Sequence, residues 1–380
     1  MTVGLARGSY ADILGALGAA GAIQRSVTTQ HSTQRDVEGF LEAIEREVSA
    51  ARDKAFTFAS DGTATLVAHG NQFAAGRFST PSIAELKHRL IANQEHDHSL
   101  TLSVFQGAHP LTDIGALQGS AGEGALFQAA SQFNCLEAPG PTIVPVADYV
   151  HDYTQGPRAS VSAFPGTFLR HYAAPAADGS RFVQTDERSI DLLAGVFDPS
   201  IAAVKGGYLS THGIVDRAAL AKALVDRFDE IRVGIHDEVE VVYGFDWSGP
   251  VVGARTIAQV FTSTIALGSY SRDASGDDIA SARRQLLRGA YVGTLLAAAS
   301  LEKSTVVLTL IGGGVFANPK EDIWEAIEFA VETVRPYLKR SMLVIVNCRE
   351  GVDAQIRKKI LTGGGAFVEF GEHGISVRRQ

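Results

Sequence analysis

A chain of 380 residues with 45% hydrophobic content and a mean hydropathy of +0.06 can bury one large core or two smaller ones, which excludes disorder along its whole length. Asp and Glu (42) outnumber Lys and Arg (34), so no basic field exists to hold a nucleic acid. A small phosphorylated ligand stays open, because a few backbone amides can hold a pyrophosphate without net positive charge. Cys135 and Cys348 stand far apart without metal-type spacing, which argues against a disulfide framework or zinc ribbon and for a reducing, cytoplasmic setting. The Ala/Gly/Leu-rich stretch 13–23 follows Arg7 as a secretory signal would, but Asp12 precedes it and glycine dilutes its apolar run. No window approaches the roughly 18 uninterrupted apolar residues of a membrane span, so no membrane partner is expected.

In chain order, Thr33 and Asp36 form a capping-box pair before Val37, Phe40, Leu41, Ile44 and Val48, predicting an amphipathic helix to about Arg52. Short strands are expected at 56–59 and 64–68, then a helix opened by Ser82 and Glu85. These first 95 residues read as a mixed helical and strand extension, packed on a larger unit spanning 96–380. From Leu100 the text alternates strand, glycine-rich loop and helix. A strand is expected at 100–106, a loop at 107–122, and a helix at 123–137 whose Leu126, Phe127, Ala130 and Phe133 share a face. Further strands are expected at 159–163, 238–243, 259–265, 306–311 and 342–346, with helices at 218–228, 279–298 and 323–334. Residues 175–186 read as a surface excursion. Such alternation predicts an α/β fold, a mostly parallel or mixed sheet flanked by helices on both faces.

The sharpest chemical signal is a fully apolar strand running into Gly312, Gly313 and Gly314, then Val315, Phe316, Ala317 and Asn318 before a helix. Successive glycines let amides gather around a diphosphate and let the backbone approach where a Cβ would block. The run is neither a G-x-G-x-x-G fingerprint nor a P-loop, which weakens a dehydrogenase or NTPase reading. A tight turn without ligand is the plainer alternative. The second signal is the glycine-rich loop after the strand at 100–106. It offers the carboxylates Asp113 and Glu123, and the amides Gln128, Gln132 and Asn134 follow at the sheet edge where α/β folds bind ligands. Taken singly, Asp113 also reads as a cap, Glu123 as a first-turn acid and Asn134 as a surface residue. Asp152, beside Tyr153, is a third carboxylate with a turn role as its plainer reading. Gly363 to Gly365 fit a helix end, and His96 and His98 around Asp97 lack the third partner a metal site needs. Trp247 and Trp324 read as packing residues. No cofactor and no metal are expected.

The segments GEGALFQAASQFN (122–134) and LTLIGGGVFANP (308–319) resemble the macro-domain and poly(ADP-ribose) glycohydrolase superfamily. They are most similar to its divergent arginine-specific ADP-ribosyl hydrolases, known from bacterial effectors. YTQGP (153–157), QVFTST (259–264) and GAYVGTLLAAA (289–299) look like motifs of that branch in the same order, and the resemblance covers about 100–346. It implies a macro-domain-like fold that binds ADP-ribose and an ADP-ribosylated protein, in the cytoplasm or, for an effector, in a host cytosol. It implies that Gly312 to Phe316 wrap the diphosphate, with Phe316 near the distal ribose, and that the first substrate loop spans Asp113 to Gln128. Where the glycohydrolases place Gln followed by two glutamates, this chain has Gln128, Ala129 and Ala130. The expectation is therefore a hydrolase of mono-ADP-ribose on a protein side chain, arginine being the candidate, with Asp113 and Glu123 replacing the missing glutamates. A non-catalytic ADP-ribose reader is the alternative. A nucleotide-dependent enzyme on another doubly wound fold ranks third.

Overall fold

The computed structural model describes residues 32–90, 98–107, 112–120, 124–130, 132–244, 247, 251, 255–371 and 374–378. Glu123, Asp246 and the pair His96 and Asp97 lie outside them.

The N-terminal segment gives helices α1 (Gln34–Ala50) and α2 (Arg52–Ala55), strands β1 (Phe56–Phe58), β2 (Ala64–Ala68) and β3 (Asn71–Ser79), and helix α3 (Ile83–Arg89). Both capping boxes form: Asp36 N donates to Thr33 Oγ1 at 3.2 Å, and Glu85 N donates to Ser82 Oγ at 3.1 Å. The remainder supplies β4 (Leu100–Gly107), α4 (Ile114–Ser120), β5 (Ala125–Ala130), α5 (Gln155–Ser162), α6 (Phe164–Tyr172), β6 (Ala174–Pro175), β7 (Arg181–Phe182) and α7 (Arg217–Asp226). Next come β8 (Gly234–Val241), β9 (Arg255–Thr262), α8 (Asp277–Ser300), β10 (Thr305–Thr309), α9 (Lys320–Val334), β11 (Met342–Cys348), α10 (Ala354–Thr362), β12 (Phe367–Gly371) and β13 (Gly374–Arg378).

Among the described residues, eleven strands form one mixed sheet in the order β1-β2-β3-β8-β9-β5-β10-β11-β4-β12-β13. β3 pairs antiparallel with β8, so the N-terminal strands extend the sheet. From β9 to β12 the strands run parallel, and their carboxyl ends therefore share one edge.

Polar residues in the sheet show how its faces are covered. Phe127 stands beside Gln259 in the register, and Gln128 beside Val260. Gln259 Nε2 donates to Ala159 O of α5 at 3.2 Å, whereas Gln128 Nε2 donates to Thr294 Oγ1 of α8 at 2.8 Å. Because neighbouring residues of a strand point to opposite faces, α5 lies on one face and α8 on the other. This is the predicted architecture with helices on both faces.

Two elements differ from expectation. Residues 125–130 form a strand, not part of a helix, and α4 occupies the preceding stretch read as loop. The run ALFQAA is buried on both sides, and a short apolar run of that kind fits a parallel strand and a buried helix equally by periodicity. Residues 159–163, expected as a strand, belong instead to the end of α5, which Pro157 enters in its first turn, where its missing N–H costs nothing.

Candidate functional site

The parallel strands deliver their loops to one edge, and β5 and β10 part there. Their pairing stops at Val307 and Phe127, and one residue on Gln128 Oε1 accepts the Thr309 amide at 3.3 Å. Gln128, expected to touch ligand, is thus fully buried and bridges β5, β10 and α8.

The glycine loop after β10 is braced from behind. Tyr291 Oη donates to Thr309 O at 2.8 Å and accepts from Ile311 N at 2.9 Å. Asn318 N donates to Gly312 O at 2.9 Å, and Asn318 Nδ2 donates to Ile265 O at 3.1 Å and Phe316 O at 3.3 Å. Gly312 has φ +70°, and a Cβ there would stand 2.4 Å from Asn318 Nδ2 and 2.8 Å from Thr264 Cγ2, so both conformation and space demand glycine. A Cβ on Gly314 would meet nothing within 4 Å. With Gly313, Ala317 and Asn318 amides used inside the loop, those of Gly314, Val315 and Phe316 donate to no acceptor among the described residues. Val315 is exposed, while Phe316 is buried against Tyr208 and Tyr270, ring centroids 5.3 and 5.4 Å away.

Asp113 lies in the segment after β4. It is 1% exposed, caps α4 through Ala116 N at 2.9 Å, and takes a bidentate grip from Arg158 of α5, Nε to Oδ2 at 3.0 Å and Nη2 to Oδ1 at 2.9 Å. Arg158 in turn lies 3.9 Å over the ring of Trp247. Asp113 is therefore not the free loop carboxylate the sequence led us to expect: both oxygens are committed to protein donors. Next to it, Thr112 O receives both Asn347 Nδ2 at 3.0 Å, from the end of β11, and Gln155 Nε2 at 3.4 Å, from the start of α5.

Asp152 follows the short 3-10 turn Val146–His151 and stands three residues before the first residue of α5. One of its oxygens accepts Thr154 N at 2.7 Å; the other has no partner among the described residues, and the residue is half-buried. Burial pushes up the pKa of the Tyr208 phenol, which packs on Phe316 of the glycine loop.

Asn134 is buried, accepts Leu136 N through Oδ1 at 3.1 Å, and leaves Nδ2 unpartnered. Gln132 pins the same loop, holding Ala138 O, Gly140 O and the Tyr208 hydroxyl through Nε2. Further buried polar atoms have no partner among the described residues near this edge: Gln106 Oε1 near the end of β4, Thr262 Oγ1 at the end of β9, Thr264 Oγ1 just after it, Asn318 Oδ1 and Asn347 Oδ1. Groups left unpaired in a folded interior call for an explanation, and a polar ligand at this edge supplies one. Arg158, Tyr208, Tyr270 and Asn318 carry roles that sequence reasoning missed. No spacing marks a buried arginine, and the QGPR run around Pro157 was the one available hint. No group of three metal-ligating side chains is found among the described residues, and none of their helices is long and apolar enough to cross a membrane.

No family model and no curated protein matches the chain. Among solved structures it is similar to the poly(ADP-ribose) glycohydrolase of Thermomonospora curvata, 15% identical over 85% of this chain and 98% of that one, with a TM-score of 0.40. It is also similar to the glycohydrolase of Deinococcus radiodurans in complex with ADP-ribose, 11% identical over 74% of this chain and 92% of that one, TM-score 0.35. Identities this low and TM-scores below one half leave the activity to be argued from the site itself.

Proposed function

We propose that this protein is an ADP-ribosyl hydrolase that removes mono-ADP-ribose from a protein side chain, arginine being the leading candidate. One observation carries the reading: three successive amides, Gly314 to Phe316, donate to no acceptor among the described residues at the carboxyl edge of a parallel sheet, and a carboxylate with one uncommitted oxygen, Asp152, stands three residues before the Gln155 that reaches Thr112 O at that edge. The amides suit a diphosphate, which needs no basic patch, in a chain whose net charge is −8. The sequence motifs on the same loop point to the same ligand.

Cleavage of an N-glycosidic bond at the anomeric carbon needs a carboxylate to orient and deprotonate water and to face the positive charge developing on the ribose. Water forms the new C–O bond, the C–N bond breaks, and the departing nitrogen keeps the electron pair and takes a proton. Asp152 has the free oxygen for this. Asp113, gripped by Arg158, holds α4 and α5 together and so positions the first substrate loop. Glu123 is the other carboxylate to be tested for the water-activating role. Anchoring the phosphates supplies orientation, which accounts for a sizeable share of such barriers. The reader alternative draws on Ala129 and Ala130, which stand where glycohydrolases carry glutamates.

Calorimetric titration with ADP-ribose, ADP and AMP, followed by incubation with arginine-, serine- and glutamate-linked ADP-ribosyl proteins, tests the proposal. ADP-ribose should bind best and AMP worst, with release from one linkage. Equal affinity for AMP and ADP-ribose would remove the diphosphate argument.

A further inference from the structure

The segment that carries Asp152 is gripped along its length by α1. Glu45 accepts the first two amides of the turn Val146–His151, Val146 N on Oε1 and Ala147 N on Oε2, both at 3.1 Å. Two turns back along the helix, Glu38 Oε1 meets His151 Nε2 at 3.0 Å. One turn further back, the Gln34 amide ties three groups together: Nε2 donates to Val150 O at 3.1 Å and lies 3.1 Å from His151 Nδ1, while Oε1 accepts the Tyr153 hydroxyl at 2.6 Å. Gln34, Glu38 and Glu45 stand four and seven residues apart, which puts all three on one face of α1. The capping box of Thr33 and Asp36 fixes the helix start immediately before Gln34.

The direction of each side chain decides what this grip does. Asp152 (φ −110°, ψ 119°) and Thr154 (φ −72°, ψ 160°) are extended, and along an extended chain successive side chains leave on opposite sides. His151 and Tyr153 both reach Gln34, so Asp152 between them faces away from α1. On that side one of its oxygens accepts Thr154 N at 2.7 Å and the other has no partner among the described residues. We infer that Gln34 is a positioning residue: by holding His151 and Tyr153 on one side of the segment, it fixes the angle at which Asp152 presents its uncommitted oxygen on the other. The inference rests on the proposed hydrolase reading, in which Asp152 orients the attacking water. Tyr153 is 56% exposed, so burial does not hold its ring; the hydroxyl anchor on Gln34 and the Trp247 ring 6.4 Å away do. A roll of the segment that freed Tyr153 would swing Asp152 with it, and a misplacement of about 1 Å can cost on the order of a hundredfold in rate.

The test measures single-turnover release of ADP-ribose, from whichever of the arginine, serine and glutamate linkages wild type cleaves. It compares wild type with Gln34→Ala, Tyr153→Phe, Asp152→Asn and the double variant Gln34→Ala/Asp152→Asn, with the ADP-ribose Kd and the Tm taken beside each rate. Gln34→Ala should slow release roughly tenfold or more while the Kd stays within about twofold of wild type. Tyr153→Phe removes one oxygen from an exposed ring and leaves the core untouched, so it decides the matter if Gln34→Ala folds poorly; loss of that one hydrogen bond should slow release by roughly two- to tenfold. In the Asp152→Asn background Gln34→Ala should cost nothing further, because Gln34 acts through that carboxylate. If Gln34→Ala slows release by the same factor in both backgrounds, or if Gln34→Ala and Tyr153→Phe both release at the wild-type rate, the positioning role is overturned and the hydrolase reading stands. If the two variants weaken ADP-ribose binding and leave the rate alone, the segment is a wall of the ligand site and the inference is likewise overturned. An Asp152→Asn variant as fast as wild type keeps the hydrolysis but removes the carboxylate to be positioned. A wild type that releases nothing from any linkage ends the hydrolase reading, and this inference with it.

Discussion

Gly312→Ala probes the anchoring loop most sharply. At φ +70° an alanine sits in the left-handed region, at a cost of about 1–2 kcal/mol. Its Cβ would be 2.4 Å from Asn318 Nδ2, about 1 Å inside ordinary contact, so the Asn318 side chain must give way. That side chain ties Ile265 O and Phe316 O together, and losing one such hydrogen bond costs about 0.5–1.5 kcal/mol more. The sum, about 1.5–3.5 kcal/mol, falls on the loop conformation that presents the Gly314 to Phe316 amides, which corresponds to roughly 10- to 400-fold weaker ADP-ribose binding. Titration calorimetry reads the affinity, and a thermal melt separates it from global unfolding; the Tm should fall by only a few degrees. Gly314→Val is the companion, since nothing in the protein crowds that position: it should leave the Tm unchanged and still weaken binding by tenfold or more. Wild-type affinity in both variants would show that the loop is only a turn.

Three further outcomes follow from the same geometry. Asp113→Asn leaves Arg158 buried without its counter-charge, so it should cost about 3 kcal/mol or more of stability and lower the Tm by several degrees in a thermal melt. Glu45, which accepts the Val146 and Ala147 amides at 3.1 Å, has its carboxyl pKa raised by burial above the ordinary 4.5. Its protonated form is favoured in the fold, so its contribution to stability is complete below pH 4.5 and lost as pH rises through the raised value; melts across pH 4–8 should show this trend in wild type and not in Glu45→Gln. Burial pushes the Cys348 thiol up to about 12 and that of Cys135 upward as well, so neither should react with a thiol reagent at pH 8 until the protein is unfolded, and rapid labelling of native protein would contradict their burial.

Long periodic segments were legible in the sequence and short apolar ones were not. The 24 residues of α8 carry a helical pattern longer than any strand, and the two capping boxes mark helix starts by local chemistry alone. ALFQAA is six residues buried on nearly every side chain, a length at which strand and helix share one appearance, and tertiary pairing with β9 and β10 decided it. The glycine loop was legible because backbone conformation is written in residue type: φ +70° at Gly312 is something only glycine adopts freely. The environment of a carboxylate is not written that way. Asp113 and Asp152 look alike in sequence, and what separates them is Arg158, 45 positions further on, brought to Asp113 by the packing of α5 against α4. Tyr208 and Tyr270 likewise meet Phe316 only through the fold.

The most direct measurement is single-turnover release of ADP-ribose from an arginine-linked ADP-ribosyl protein, comparing wild type with Asp152→Asn. The account predicts release by wild type, slowed a hundredfold or more in the variant, which is roughly 3 kcal/mol of transition-state stabilisation, with ADP-ribose affinity retained. A wild-type protein that binds ADP-ribose tightly yet releases none from arginine, serine or glutamate linkages would contradict it and leave a reader in its place.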